Sequence, residues 1–192
     1  LTEAPLKIAE RTRLQRGLTN VSFRSADAEE LPSADGMFDV AVCRFAFHHF
    51  EHPEKVLAEM CRVSRTGATL AIEDLYASEF SPRAAYHNDF ERLRDHSHTR
   101  ALAPTELIAL LTRAGIELQS LYCDELTTDM EAWLESAQTG PEDAAEARRR
   151  LDDDLRHDLS GSWPFVRDGR LMFHHRTLAL IGRKLKLKAD LP

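Results

Sequence analysis

Two neighbouring histidines, His48 and His49, follow the apolar run "MFDVAVCRFAF". A histidine just past a strand can take a proton from a hydroxyl or an acidic carbon near neutral pH, so either is a candidate catalytic base. The plainer alternative is one ring packed between layers and the other in solvent. A second group of reactive side chains, Arg94, His96, His98 and Arg100, lies in "RDHSHTR". Guanidinium groups hold carboxylates and oxyanions, so these four are candidate contacts for an anionic small molecule. Against that stands a salt-bridged surface connection using Glu91 and Asp95. Asp27 and Ala28 follow "VSFRS", where a carboxylate can receive a ligand's hydrogen bond or simply cap the next turn. His48 and His52 are four residues apart, but Pro53 favours a helix start there. No carboxylate or cysteine completes the set, so no metal is expected.

Composition narrows the function classes. The 192 residues suit one domain with a sizeable core. A net charge of -7 argues against nucleic acid as a partner. Arg183, Lys184, Lys186 and Lys188 read as a solvated strand end. Cys43, Cys61 and Cys123 form no C-x-x-C pair, which fits reduced thiols and a cytoplasmic location. No apolar run is long enough to span a bilayer, so no membrane partner is expected.

The positioning elements follow from periodicity and punctuation. A first helix runs from a Thr2 cap to near Gly17. "NVSFRS" reads as a short strand and "AEELPSADG" as a turn-rich link. "MFDVAVCRF" is apolar throughout, as a central parallel strand covered on both faces would be. "HPEKVLAEMCRVS" forms a helix with Val56, Leu57, Met60 and Val63 on one side, and "ATLAIEDLY" a buried strand. Next come a helix from Ser81-Pro82 and a helix from Pro104 closed by Gly115. A strand "ELQSLYCDEL" and helices at 130–137 and 141–158 follow. An Asp168-Gly169 turn then leads into a long last strand, "RLMFHHRTLALIGRK". This alternation predicts an α/β fold.

At this level the chain resembles the class I S-adenosylmethionine-dependent methyltransferases. The subgroup is similar to the ubiquinone/menaquinone-biosynthesis small-molecule enzymes. The matching words are "NVSFRSADAEELPSADGMFDVAVCRFAFHHF", "VLAEMCRVSRTGATLAIEDL" and "ERLRDHSHTRA", with "FHHRTLALIGRK" weaker. The resemblance implies a Rossmann-like, mostly parallel sheet with helices on both faces. It implies one domain over 1–192, with a cofactor-side core at 1–76, a largely helical substrate side at 77–160 and a final loop and strand at 161–192. It also implies S-adenosylmethionine as cofactor and methyl transfer to an O, C or N nucleophile of a small, anionic or quinone-like molecule. Asp27 would meet the adenine amino group and the Ala28 N–H a ring nitrogen. Leu31, Arg44 and Phe45 would complete that side. Arg94, His96, His98 and Arg100 would cover the crevice.

The resemblance places a first strand, a glycine-rich loop and a ribose-binding acid upstream of Leu1. No two of the eight glycines here are separated by a single residue. Without the leading strands, "FDVAVCRF" would be an apolar edge seeking a partner. Upstream residues, a shifted "VSFRS" or a second copy could cover it. These 192 residues by themselves are therefore expected to form a homodimer or to bind the cofactor weakly. Two alternatives accompany methyl transfer: a non-methylating relative acting as a binding or dimerisation module, and other chemistry in the same crevice.

Overall fold

A computed structural model describes residues 3–186, with side chains from Pro5 onward. The expected roles of Thr2 and Lys188 lie outside the described residues. The chain runs through α1 (Glu3–Gln15), β1 (Phe38–Arg44), α2 (Pro53–Val63), β2 (Ser64–Leu75), α3 (Ser81–Arg94) and α4 (Pro104–Arg113). It continues through β3 (Ile116–Asp129), α5 (Met130–Ser136), α6 (Pro141–His157), β4 (Phe165–Arg167) and β5 (Arg170–Lys184).

Local chemistry explains most of these boundaries. Pro53, Pro82, Pro104 and Pro141 each sit in a helix's first turn, where a missing N–H costs nothing. Asp168 and Gly169 both take left-handed φ values, 51° and 73°, which match the twist of a two-residue hairpin between β4 and β5. In β2, Ala68, Leu70, Ile72 and Asp74 are buried in strict alternation.

The strands are ordered β1-β2-β5-β3, with β4 also on β5. β1 pairs with β2 in parallel, whereas β5 is antiparallel to β2, β3 and β4. Parallel pairing is thus confined, among the described strands, to β1 and β2.

Three local expectations are corrected. "VSFRS" is not a strand: residues 21–26 have no regular structure. No described strand offers it a ladder, and a strand needs a partner for its backbone groups. β1 is an edge strand and is not covered on both faces, with Val40 and Val42 exposed by 55% and 63%. Lys184 is not a solvated strand end, because its Nζ donates to Cys61 O and Ser64 O, both at 2.8 Å, where α2 meets β2.

Two apolar cores flank the region of interest. One joins Val56, Leu57 and Met60 of α2 and Leu107 and Leu111 of α4 to Leu70, Ile72, Leu178 and Leu180 of the sheet. The other joins Phe90, Met130, Trp133, Leu151 and Phe173. β5 belongs to both, and His175 lies between its Phe173 and Leu178. No described helix is long and apolar enough to cross a membrane.

Candidate active site

β1 and β2 end side by side, with Arg44 opposite Glu73. Arg44 Nε donates to Glu73 Oε2 at 2.8 Å, and its guanidinium stands 4.6 Å from the centre of the Phe45 ring. Phe45 leaves the strand with φ 46°, a left-handed conformation unusual for an aromatic residue. That bend delivers the short helical turn Phe47–His49 over the end of β2.

Asp74 lies beneath that turn and is only 1% exposed. Its carboxylate accepts from Phe47 N at 2.6 Å, His48 N at 3.1 Å and Leu75 N at 2.6 Å. His48 Nδ1 is 2.5 Å from Oδ1. A buried carboxylate is tolerable only when so supplied with donors. With three backbone N–H groups already donating, the carboxylate accepts from Nδ1 as well, so in the neutral ring Nε2 carries the lone pair.

α3 and the loop after it form the facing wall. Thr99 N and Arg100 N both donate to His48 O, and Thr99 Oγ1 donates to His49 O. His49 Nδ1 lies 3.0 Å from Ser97 O. His98 is buried, with Nε2 2.7 Å from Asn88 Oδ1. Burial pushes the His98 imidazole down to about 4, against the pull of Glu91. His175 is held between Glu91 Oε1 at 3.0 Å and Thr128 Oγ1 at 2.9 Å. Burial pushes the Glu91 carboxyl upward, but His175 and then His87 outweigh it and hold it near 2.

These groups enclose a cavity of about 290 Å³ lined by Phe45, His48, His49, Leu75, Leu126 and Trp133, together with the polar wall of Glu91, Arg94, Asp95, His98 and His175. Arg94 donates from Nη2 to Ser136 Oγ at 3.2 Å and stands over the Trp133 ring, while its buried Nε has no protein partner.

Of the residues singled out from sequence, the cavity gathers Phe45, His48, His49, Arg94 and His98. His96 is exposed and bonds Asp143 at 3.1 Å. Arg100 bonds Glu106 at 2.9 Å and lines neighbouring grooves instead. Asp27, Ala28 and Leu31 occupy a separate turn. There Asp27 Oδ1 accepts from Glu29 N at 2.9 Å, and Oδ2 has no protein partner among the described residues. Leu31 N donates to Glu59 Oε2 at 2.8 Å. Arg62 pins the same segment by donating to Leu31 O, Ser33 O and Asp35. The partners Arg62 and Leu31 N hold the Glu59 carboxyl down to about 2.

Sequence reasoning passed over Asn88 and Thr128 and gave Asp74 and His175 no site role; Glu91, read there as part of a salt-bridged surface connection, is instead buried and bonds His175. Asp74 had a signal, as a carboxylate closing the apolar strand "ATLAIEDL". Nothing in the sequence marks Glu91 as buried, since it is one charge among many in its helix.

Residues 1–138 match the family described as Methyltransferase domain (Methyltransf_31). Over 138 residues the chain is 30% identical to YcgJ, an uncharacterized methyltransferase of Bacillus subtilis strain 168, covering 72% of this chain and 54% of that protein. It is 29% identical over 136 residues to the ubiquinone/menaquinone biosynthesis C-methyltransferase UbiE of Ectopseudomonas mendocina, covering 61% and 53%. The chain therefore spans about half the length of these two relatives. A crystal structure from Bacillus halodurans C-125 superposes with a TM-score of 0.89 at 30% identity, over 97% of this chain and 81% of that one.

Proposed function

The chain belongs to the methyltransferase domain family, and from that premise we propose that it carries out S-adenosylmethionine-dependent methyl transfer to an O, C or N nucleophile of a small molecule. The observation that carries this reading is the buried His48–Asp74 pair, 2.5 Å apart, in a cavity at the carboxyl ends of two parallel strands. Ligands of open α/β sheets lie at that end.

Bound S-adenosylmethionine supplies an electrophilic methyl on a sulfonium. The turn Asp27–Leu31, with Asp27 exposed, fits the adenine end of that molecule. Asp27 keeps one carboxylate oxygen free for an amino N–H. Ala28, which packs against the core, presents little bulk beside it. Asp74 fixes the His48 tautomer, and Nε2 would take the proton of an acceptor bound in the cavity as the methyl leaves the sulfonium sulfur, which would remain as a neutral thioether. Phe45, Leu75, Leu126 and Trp133 exclude water and hold the acceptor in line, where proximity supplies much of the rate.

The test is transfer of a labelled methyl from S-adenosylmethionine to a panel of small phenols, enols and amines, with cofactor binding measured in parallel by calorimetry. Labelled product and its loss in His48→Ala support the reading. Cofactor binding with no transfer to any member contradicts it.

A second reading rests on the edge of β1 that pairs with no other strand among the described residues. With Val40 and Val42 exposed, that edge offers an apolar strand that a second copy of the chain can extend, making the chain a dimerisation module. Sedimentation of the chain separates the two: a catalytically active monomer excludes the second.

A further inference from the structure

Three of the four imidazoles in the cavity wall, those of His48, His49 and His98, have protonated nitrogens assigned by their neighbours; the fourth, His175, is already held by Glu91 and Thr128. His48 Nδ1 faces the Asp74 carboxylate. His49 Nδ1 faces Ser97 O, a carbonyl that can only accept. Ser97 Oγ, 3.2 Å from the same nitrogen, already donates to Asp95 Oδ1 at 2.6 Å and so accepts there too. His98 Nε2 faces Asn88 Oδ1. That amide cannot be turned round, because Oδ1 also accepts from Ala101 N at 2.7 Å while Nδ2 donates to Ala84 O at 2.9 Å.

Each neutral ring therefore keeps one lone pair: Nε2 of His48, Nε2 of His49 and Nδ1 of His98. None of the three has a protein partner among the described residues. The His48 and His98 rings lie 5.2 Å apart, centre to centre, and are tilted by 30°. Burial at His98 disfavours the charged form, which keeps its Nδ1 an acceptor at neutral pH. Among the described residues no three His, Cys, Asp or Glu side chains are placed to share a metal ion.

Three such lone pairs in one wall favour hydrogen-bond donors. We propose that His98 is a specificity-determining residue: its Nδ1 accepts a hydrogen bond from a second O–H or N–H of the methyl acceptor, beside the group whose proton His48 takes. The part played by His48 rests on the methyl-transfer reading above, whereas the donor preference at His98 stands without it. The substrate class is a compact, largely apolar ring carrying two donors within its own width. The ring's body meets Phe45, Leu75, Leu126 and Trp133, and the volume of about 290 Å³ limits what enters. The opposing possibility is an anion drawn to the unpartnered Arg94 Nε.

The test is equilibrium binding of catechol, phenol, anisole and benzoate to the full chain without cofactor. Catechol is expected to bind about tenfold tighter than phenol, the worth of one further hydrogen bond, with anisole weaker still. His98→Phe should erase the catechol advantage. His98→Gln, which can donate to Asn88 and still present an oxygen, should restore it. Nitrogen-15 spectra of the unaltered chain provide a readout independent of any variant's folding. The His98 Nδ1 resonance should sit at the unprotonated position and move with catechol but not with anisole. Benzoate binding tighter than catechol, or a protonated His98 Nδ1 at neutral pH, overturns the proposal. Donor ranking without methyl transfer overturns only the function proposed above. Methyl transfer without donor ranking overturns only the role of His98.

Discussion

Asp74, the penultimate residue of β2, lies directly under the turn that carries His48, with its Oδ1 2.5 Å from His48 Nδ1. The same carboxylate accepts the backbone N–H groups of Phe47, His48 and Leu75, so one buried side chain sets both the turn and the tautomer. Asp74→Asn keeps the shape but turns an N–H toward Nδ1, which moves the imidazole proton to Nε2. The methyl-transfer kcat should fall about 10²-fold or more, with acceptor KM little changed. Steady-state kinetics beside a melting curve check this. An unchanged kcat in a folded variant would show that the tautomer does not matter.

His87 and His98 are both pushed down to about 4 by burial. In the unfolded chain each titrates near 6.5. Below that pH the unfolded state binds protons that the folded state refuses, so stability falls as pH drops from about 6.5 toward 4. The slope is at most about 1.4 kcal/mol per pH unit for each histidine. Glu91, held near 2, adds a further loss as pH drops from about 4.5 toward 2. Urea midpoints at pH 7, 6 and 5 should decline steadily, and His98→Gln should flatten the decline. A midpoint independent of pH across this window is the contrary result.

Arg62 ties α2 to the Asp27–Leu31 turn through Leu31 O at 2.9 Å and Glu59 Oε2 at 2.8 Å. Arg62→Met removes those donors and frees the turn. We expect affinity for S-adenosylmethionine to fall about tenfold, as one or two charge-assisted hydrogen bonds would suggest, with the melting temperature lowered only slightly. Calorimetric titration of the variant checks it. Unaltered affinity would place adenine recognition elsewhere.

Gly182 lies where β5 crosses between β2 and β3. A Cβ there would collide with Ile116 Cγ2 and stand 3.0 Å from Glu117 O. Gly182→Ala must therefore push β3 aside, and it should cost about 1–3 kcal/mol by denaturant unfolding. Loss of less than about 0.5 kcal/mol would mean that the sheet yields freely at this point.

The sequence carries those elements whose signals are local. The four helix-opening prolines, the Asp168-Gly169 hairpin and the alternation in "ATLAIEDL" all lead to elements that are present. "VSFRS" fails because strandhood depends on a partner, and no neighbouring word reports whether one is there. The candidate site divides the same way. His48 and His98 stand in conspicuous runs, but Glu91 and His175 are 84 positions apart and only the fold joins them. Arg100 and His96 look like ligand contacts in "RDHSHTR", yet Glu106 and Asp143 engage them instead. Spacing along the chain does not reveal which carboxylate a cation will meet.

The central claim is that His48 takes the acceptor's proton during methyl transfer. Its most direct test is single-turnover transfer by the unaltered chain and His48→Ala, both saturated with S-adenosylmethionine and acceptor. The account predicts a rate about 10²-fold lower or more in the variant, with cofactor affinity within about twofold. Equal single-turnover rates in the two proteins would contradict it.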